Sequence, residues 1–213
     1  AFECLLAAGA TKIISADSGL AFSQLRKFYA ENKGQWIFGH LGYDLKNETE
    51  NLQSRHPNRT GFHDLSFFIP EYVIRLDEEN LTIDGVENPE AVYRAIMDAS
   101  PTIEAARETD PISVRHRISR HEYLEIISRL RQHILRGDCY EINFCQEFYA
   151  EDVSIDPLAT FHTLTELSPN PFSAYYRFGE HYCVCASPER YLKKTGNRIL
   201  SQPMKGTSRR QRA

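Results

Sequence analysis

The stretch SAYYRFGEHYCVCASPERYLKKTGNRILSQ, residues 173–202, decides the fold class. Gly179-Glu180 and Gly196-Asn197 are short polar turn dipeptides between runs rich in aromatic and aliphatic side chains. Two extended runs parted by two turn residues read as a hairpin. The pattern predicts strands over Ser173 to Phe178 and His181 to Ala186, and two more flanking Gly196-Asn197.

Helices lie upstream. Asp156-Pro157 opens one carrying Leu158, Phe161, Leu164 and Leu167, and Ser168-Pro169-Asn170-Pro171 ends it, because a residue before proline avoids the helical region. Ser119 with Glu122 forms a capping box ahead of Ile126, Ile127, Leu130 and Ile134, and Gly137 supplies a left-handed stop. Between these helices Tyr140, Ile142, Phe144 and Phe148 alternate with Glu141, Asn143, Cys145 and Glu147, which predicts a strand with one polar face.

Pro101 and Pro111 mark residues 99–116 as a linker between an amino-terminal region, 1–98, and a second part, 117–213. Within 1–98 the spacing predicts a helix through Leu20, Phe22, Leu25, Phe28 and Tyr29 with Ser18 as its cap. A buried strand is predicted over Gln35 to Asp44, a loop from Asn47 to Asp64, and a hairpin joining Tyr72–Leu76 to Leu81–Ile83. Asn88-Pro89 then opens a further helix. The class is α+β, with largely antiparallel sheets and packed helices.

Composition narrows the function. Twenty-five basic against 29 acidic residues give a net charge of −4, which excludes a nucleic-acid module held by bulk charge. No apolar run approaches the ~20 residues of a membrane span, and a cytoplasmic protein is expected. The five cysteines, Cys4, Cys139, Cys145, Cys183 and Cys185, form no CxxC pair and read as inert thiols in strands. The chain starts Ala1-Phe2-Glu3 and stops at Arg212-Ala213 just after a strand; a strand edge left there predicts a fragment.

Glu189 lies seven residues before Gly196, and Lys205 eight after Asn197, so the hairpin sets them at similar height. A two-residue turn makes them diagonal neighbours on opposite faces; a three-residue loop with a bulge sets them opposite one another on the same face, about 5 Å apart between Cα atoms. One reading is an ordinary cross-strand salt bridge. The other is a site, because Ser187-Pro188 breaks the strand before Glu189 and Gly206 lets a ligand approach the backbone after Lys205.

Ala186-Ser187-Pro188-Glu189-Arg190 followed by Gln202-Pro203-Met204-Lys205-Gly206-Thr207 resembles the signature of the chorismate-utilising enzymes: anthranilate, aminodeoxychorismate, isochorismate and salicylate synthases. Gly137-Asp138-Cys139-Tyr140-Glu141-Ile142-Asn143 and Ser168-Pro169-Asn170-Pro171-Phe172-Ser173 resemble further family motifs. Phe2-Glu3-Cys4-Leu5-Leu6 and Gly39-His40-Leu41-Gly42-Tyr43-Asp44 resemble its amino-terminal region more loosely. The resemblance implies the amino-terminal half of the anthranilate synthase component I fold, with 117–213 as the first part of a truncated catalytic domain.

Lys205 before Gly206-Thr207 resembles the aminodeoxychorismate synthases, where anthranilate synthases have Ala. Glu141 stands where isochorismate and salicylate synthases carry a lysine. The resemblance implies amination of chorismate to 4-amino-4-deoxychorismate, in para-aminobenzoate and folate biosynthesis. It makes Glu189 the acid and Lys205 the nucleophile, with Gly206 and Thr207 seating substrate. It further implies Mg²⁺ held by residues beyond this chain, ammonia from a glutamine amidotransferase, and an inactive isolated chain. Leu5-Leu6-Ala7-Ala8 lacks the polar residues of the family's tryptophan pocket, and Phe172 replaces a Tyr of the inhibited enzymes. The alternatives are an anthranilate synthase and a non-catalytic module retaining the fold.

Overall fold

A computed structural model describes residues 4–53, 56–85, 88–99 and 112–204. The chain divides into two compact units: Ala1–Thr102 with Arg177–His181, and Ile103–Tyr176 with Tyr182–Ala213.

The first unit is built on two three-stranded antiparallel sheets. In one, β1 (Cys4–Ala8) and the third strand of the sheet, Leu81–Gly85, flank Tyr72–Leu76. In the other, β2 (Lys12–Ala16) and β3 (Phe38–Leu41) flank β4 (Leu65–Ile69), so the remaining strands of the first sheet are β5 (Tyr72–Leu76) and β6 (Leu81–Gly85). The two sheets run into each other. Ala8 pairs with Tyr72 and Lys12 with Ile69, four steps on one side against three on the other, so the register slips by one residue at the junction. Gly9 absorbs the slip at φ +69°, and a Cβ there would sit 2.6 Å from Glu71 Oε2.

Helix α1 (Ala21–Glu31) packs on β2, and Ala16, Ala21, Leu45 and Leu65 form a small core under Ile14, Phe22, Leu25 and Phe67. Ser18 does not cap α1. Its own N–H donates instead to Asp64 Oδ2 at 2.9 Å, and the cap comes from Glu48 on α2 (Lys46–Thr49). Glu48 Oε1 accepts the Gly19 and Ala21 N–H groups at 2.6 Å each, and Oε2 accepts that of Phe22 at 3.2 Å. Desolvation pushes this carboxyl up, but the three N–H donors outweigh it and hold the pKa below its ordinary value.

The strand predicted over Gln35 to Asp44 contracts to β3, and it is not buried: Leu41 is 55% exposed. Tyr43–Leu45 winds into a 3-10 turn instead, and only Leu45 enters the core. The β5–β6 hairpin follows its prediction, with Asp77 accepting the Glu79 and Asn80 N–H groups across the turn. Helix α3 (Pro89–Asp98) also follows, capped by Asn88.

In the second unit, β7 (Arg115–His116) pairs with β8 (Phe148–Tyr149). Of the predicted linker, 100–111 lie outside the described residues, and Arg115 and His116 are strand. Helix α4 (Arg120–Arg136) carries the full capping box between Ser119 and Glu122 and ends on Gly137 at φ 84°. Helix α5 (Pro157–Leu167) starts on Asp156, which accepts the Leu158 and Ala159 N–H groups. Strands β9 (Phe172–Phe178) and β10 (His181–Ser187) pair, as do β11 (Arg190–Thr195) and β12 (Arg198–Gln202).

The strand predicted through 140–148 is corrected to β8 alone, since 141–147 are neither helix nor strand. Tyr140 is 92% exposed. Alternation supplies a polar face but no partner, and a strand exists only where its N–H and C=O groups are paired. Cys139 and Cys145 therefore leave the strands assigned to them, and Cys145 is exposed. Among the described residues of the second unit none is buried.

Candidate active site around Glu189

Ser187 closes β10, and Pro188 then removes the N–H that a continuing ladder would need. The Ser187 hydroxyl bridges the gap. Its Oγ accepts the Glu189 N–H at 3.3 Å and donates to the Glu189 carbonyl at 3.2 Å, a local turn that fixes the backbone on either side of the proline.

The register beyond is set by a bulge. Thr195 faces Arg198 across a two-residue turn, Lys193 faces Leu200, but Arg190 faces Gln202. Tyr191 and Leu192 of β11 thus oppose the single Ser201 of β12. The hairpin combines the two alternatives left open by spacing: a two-residue turn, with the bulge in the strand.

One oxygen of Glu189 finishes the ladder. Gln202 is the last residue of β12 and Pro203 has no N–H, so the next backbone donor is Met204. Its N–H donates to Glu189 Oε1 at 2.8 Å. The carboxyl is thereby fixed at the residue directly preceding Lys205 in the chain. Lys205, Gly206 and Thr207 themselves lie outside the described residues.

Two contacts grip the Glu189 segment that sequence reasoning did not single out. Asn170, between Pro169 and Pro171, donates through Nδ2 to the Ala186 carbonyl at 3.3 Å and to the Ser168 Oγ and carbonyl at 2.8 and 3.2 Å. The Arg190 guanidinium lies 4.6 Å over the Phe172 ring.

Other charges near the motifs have structural partners. Asp138, which opens the segment after Gly137, is held below its ordinary pKa first by Arg136 and then by His133. Partial burial pushes the Tyr176 hydroxyl up to about 12, with a further contribution from Cys183. Desolvation also raises the Cys183 thiol, with Cys185 second, so this thiol is not an activated nucleophile. Among the described residues no group of three or more His, Cys, Asp or Glu is placed to hold a metal ion. No helix among them is long and apolar enough to cross a membrane.

The arrangement places one carboxyl, oriented through one oxygen, beside a backbone amide. Comparison with known proteins gives this arrangement a context. The chain is 28% identical over 181 residues to anthranilate synthase component 1 of Thermus thermophilus, covering 80% of this chain and 39% of that protein. It is 29% identical over 171 residues to aminodeoxychorismate synthase component 1 of Klebsiella aerogenes, covering 79% of this chain and 38% of that one. The structure of anthranilate synthase component I from Streptococcus pneumoniae superposes with a TM-score of 0.78 at 19% identity, over 93% of this chain and 53% of that chain. The chain thus spans about two fifths of the length of these curated relatives, and the expected α+β fold with antiparallel sheets is the fold observed. The model of the chorismate binding enzyme family matches residues 2–213, and with the Glu189 hairpin lying inside that span, the chain belongs to the chorismate binding enzymes.

Proposed function

We propose that this chain belongs to an enzyme that aminates chorismate to 4-amino-4-deoxychorismate. The observation that carries the reading is the Glu189 carboxyl tied to the Met204 N–H at 2.8 Å, one residue before Lys205. Hydroxide is a poor leaving group, so replacing the C4 hydroxyl needs an acid. A carboxylic acid that accepts the Met204 N–H on Oε1 presents Oε2 as the oxygen bearing the proton.

In the proposed sequence Glu189 protonates the C4 oxygen, which leaves as water while the neutral Lys205 amine bonds to C2 and both ring double bonds shift, C1=C2 to C6=C1 and C5=C6 to C4=C5. Ammonia then bonds to C4, both double bonds shift back, and the C2–nitrogen bond to Lys205 breaks, returning the neutral amine. The Glu189 carboxylate regains its proton from the ammonium so formed on C4. Gly206 and Thr207 seat the substrate. A glutamine amidotransferase supplies ammonia, Mg²⁺ is held by residues outside this chain, and the enzyme works in the cytoplasm in the supply of para-aminobenzoate for folate.

Anthranilate synthase is the second reading, favoured by the Thermus thermophilus relative. Product identity separates the two. The full-length protein, given chorismate, ammonia and Mg²⁺, should yield 4-amino-4-deoxychorismate by mass spectrometry; anthranilate and pyruvate would establish the second reading instead.

A further inference from the structure

The segment Ser187–Arg190 is anchored at both ends by a single loop. On the near side the Asn170 amide donates to the carbonyl of Ala186, three residues before Glu189. On the far side the Arg190 guanidinium, one residue after Glu189, covers the Phe172 ring at 4.6 Å. Asn170 and Phe172 are themselves braced. Ser173 donates to the Asn170 carbonyl through both its N–H, at 3.3 Å, and its hydroxyl, at 2.9 Å. The Cys185 thiol lies 4.0 Å from the Phe172 carbonyl. Nothing comparable is needed to hold β10 against β9, which their backbone ladder already does. The loop contacts fall at the one place where Pro188 interrupts that ladder.

We infer that Asn170 and Phe172 are positioning residues for Glu189, acting as a two-point clamp that sets the carboxyl against the Met204 N–H. The inference rests on the acid role proposed for Glu189. Glu189 is exposed, so packing around its own side chain does not fix it; its orientation comes from the backbone. With Pro188 fixing φ just before Glu189 and the Ser187 hydroxyl holding both the N–H and the carbonyl of Glu189, the freedom left lies in how the whole segment sits on the sheet. The amide and the ring remove that freedom. A displacement of about 1 Å at a reacting group can cost on the order of a hundredfold in rate.

The clamp also gives a physical reason for the residue types. Asn170 must donate to Ala186 and Ser168 together, which aspartate cannot do. Phe172 must present a ring face to a cation, which leucine cannot do and tyrosine can.

The test pairs a structural with a kinetic readout. In the full chain, hydrogen exchange at the Met204 amide should accelerate in Asn170→Ala and in Phe172→Leu, while Phe172→Tyr stays close to wild type. In the full-length enzyme both damaging variants should lower kcat about tenfold or more with KM changed less than threefold, and Phe172→Tyr should restore kcat. Circular dichroism identifies a variant that fails to fold, in which case the other carries the test. Wild-type exchange at Met204 in both folded variants overturns the clamp whatever the activity. Accelerated exchange with unchanged kcat in an active enzyme overturns its positioning role. A wild-type protein that turns over no chorismate, yet shows accelerated exchange in the variants, overturns the proposed function and supports the clamp geometry.

Discussion

Glu189 and Met204 are joined side chain to backbone at 2.8 Å, where Pro203 leaves a strand unable to continue its own pairing. A carboxyl at that position does two things: it satisfies an amide that the sheet has abandoned, and it holds one of its own oxygens in a defined direction. Substitutions that keep the acceptor but remove the acid separate the two roles.

Glu189→Gln keeps an amide oxygen for the Met204 N–H and loses the proton donor. Amination by the full-length enzyme should fall by roughly 10²–10⁴-fold, with the melting temperature close to that of wild type. Glu189→Ala should lose the activity and also expose the Met204 amide to faster exchange. Retention of activity in Glu189→Gln would remove it as the acid.

Lys205→Ala should abolish formation of a covalent adduct. The full-length enzyme incubated with chorismate and Mg²⁺ but without ammonia should show added mass on the peptide containing Met204-Lys205-Gly206. The variant should show none and should lose most of its amination rate. An adduct on a different peptide, or full activity in the variant, would point to a salt-bridging lysine.

The first unit should lose stability in acid through Glu48. Its folded pKa lies below the ordinary value of 4.5, so its contribution is complete above that pH and disappears as pH falls through the folded value. The single tryptophan, Trp36, stacks on Phe38 with ring centroids 5.8 Å apart and reports on this unit. Unfolding followed by its fluorescence should show a shallower acid limb in Glu48→Gln, with lower stability at pH 7. Unchanged curves would contradict the cap.

Ser119→Ala should destabilise α4 by about 1 kcal/mol, the usual value of a lost serine cap. Ser119→Asp should recover most of it. Chemical denaturation followed by circular dichroism measures both.

For three helices the local signal was enough. Ser119, Glu122 and Gly137 bound α4 within one element, and Asn88-Pro89 and Asp156-Pro157 do the same for α3 and α5. The hairpins were legible because their turns lie between their strands. Partners distant in sequence were not. The strand pairs of β1 with β5 and β2 with β4 have no adjacent turn to announce them, and the true cap of α1 is a glutamate 27 residues beyond Ala21. Around the candidate site, the strand break at Ser187-Pro188 was readable from the sequence, whereas the Asn170 contact with Ala186 spans 16 residues and depends on a loop geometry that composition does not encode.

The pairing of β1 with β5 carries a consequence for biosynthesis. Cys4 meets Leu76 and Ala8 meets Tyr72, so the earlier strand leaves the ribosome more than sixty residues ahead of its mate. During that interval it is an unclaimed template with Leu5 and Leu6 on it, and both stay over 40% exposed even after pairing. Closing so long a loop adds little to the equilibrium cost but delays the event. Strand β1 is therefore a part of the nascent chain in need of shelter from its neighbours on a polysome.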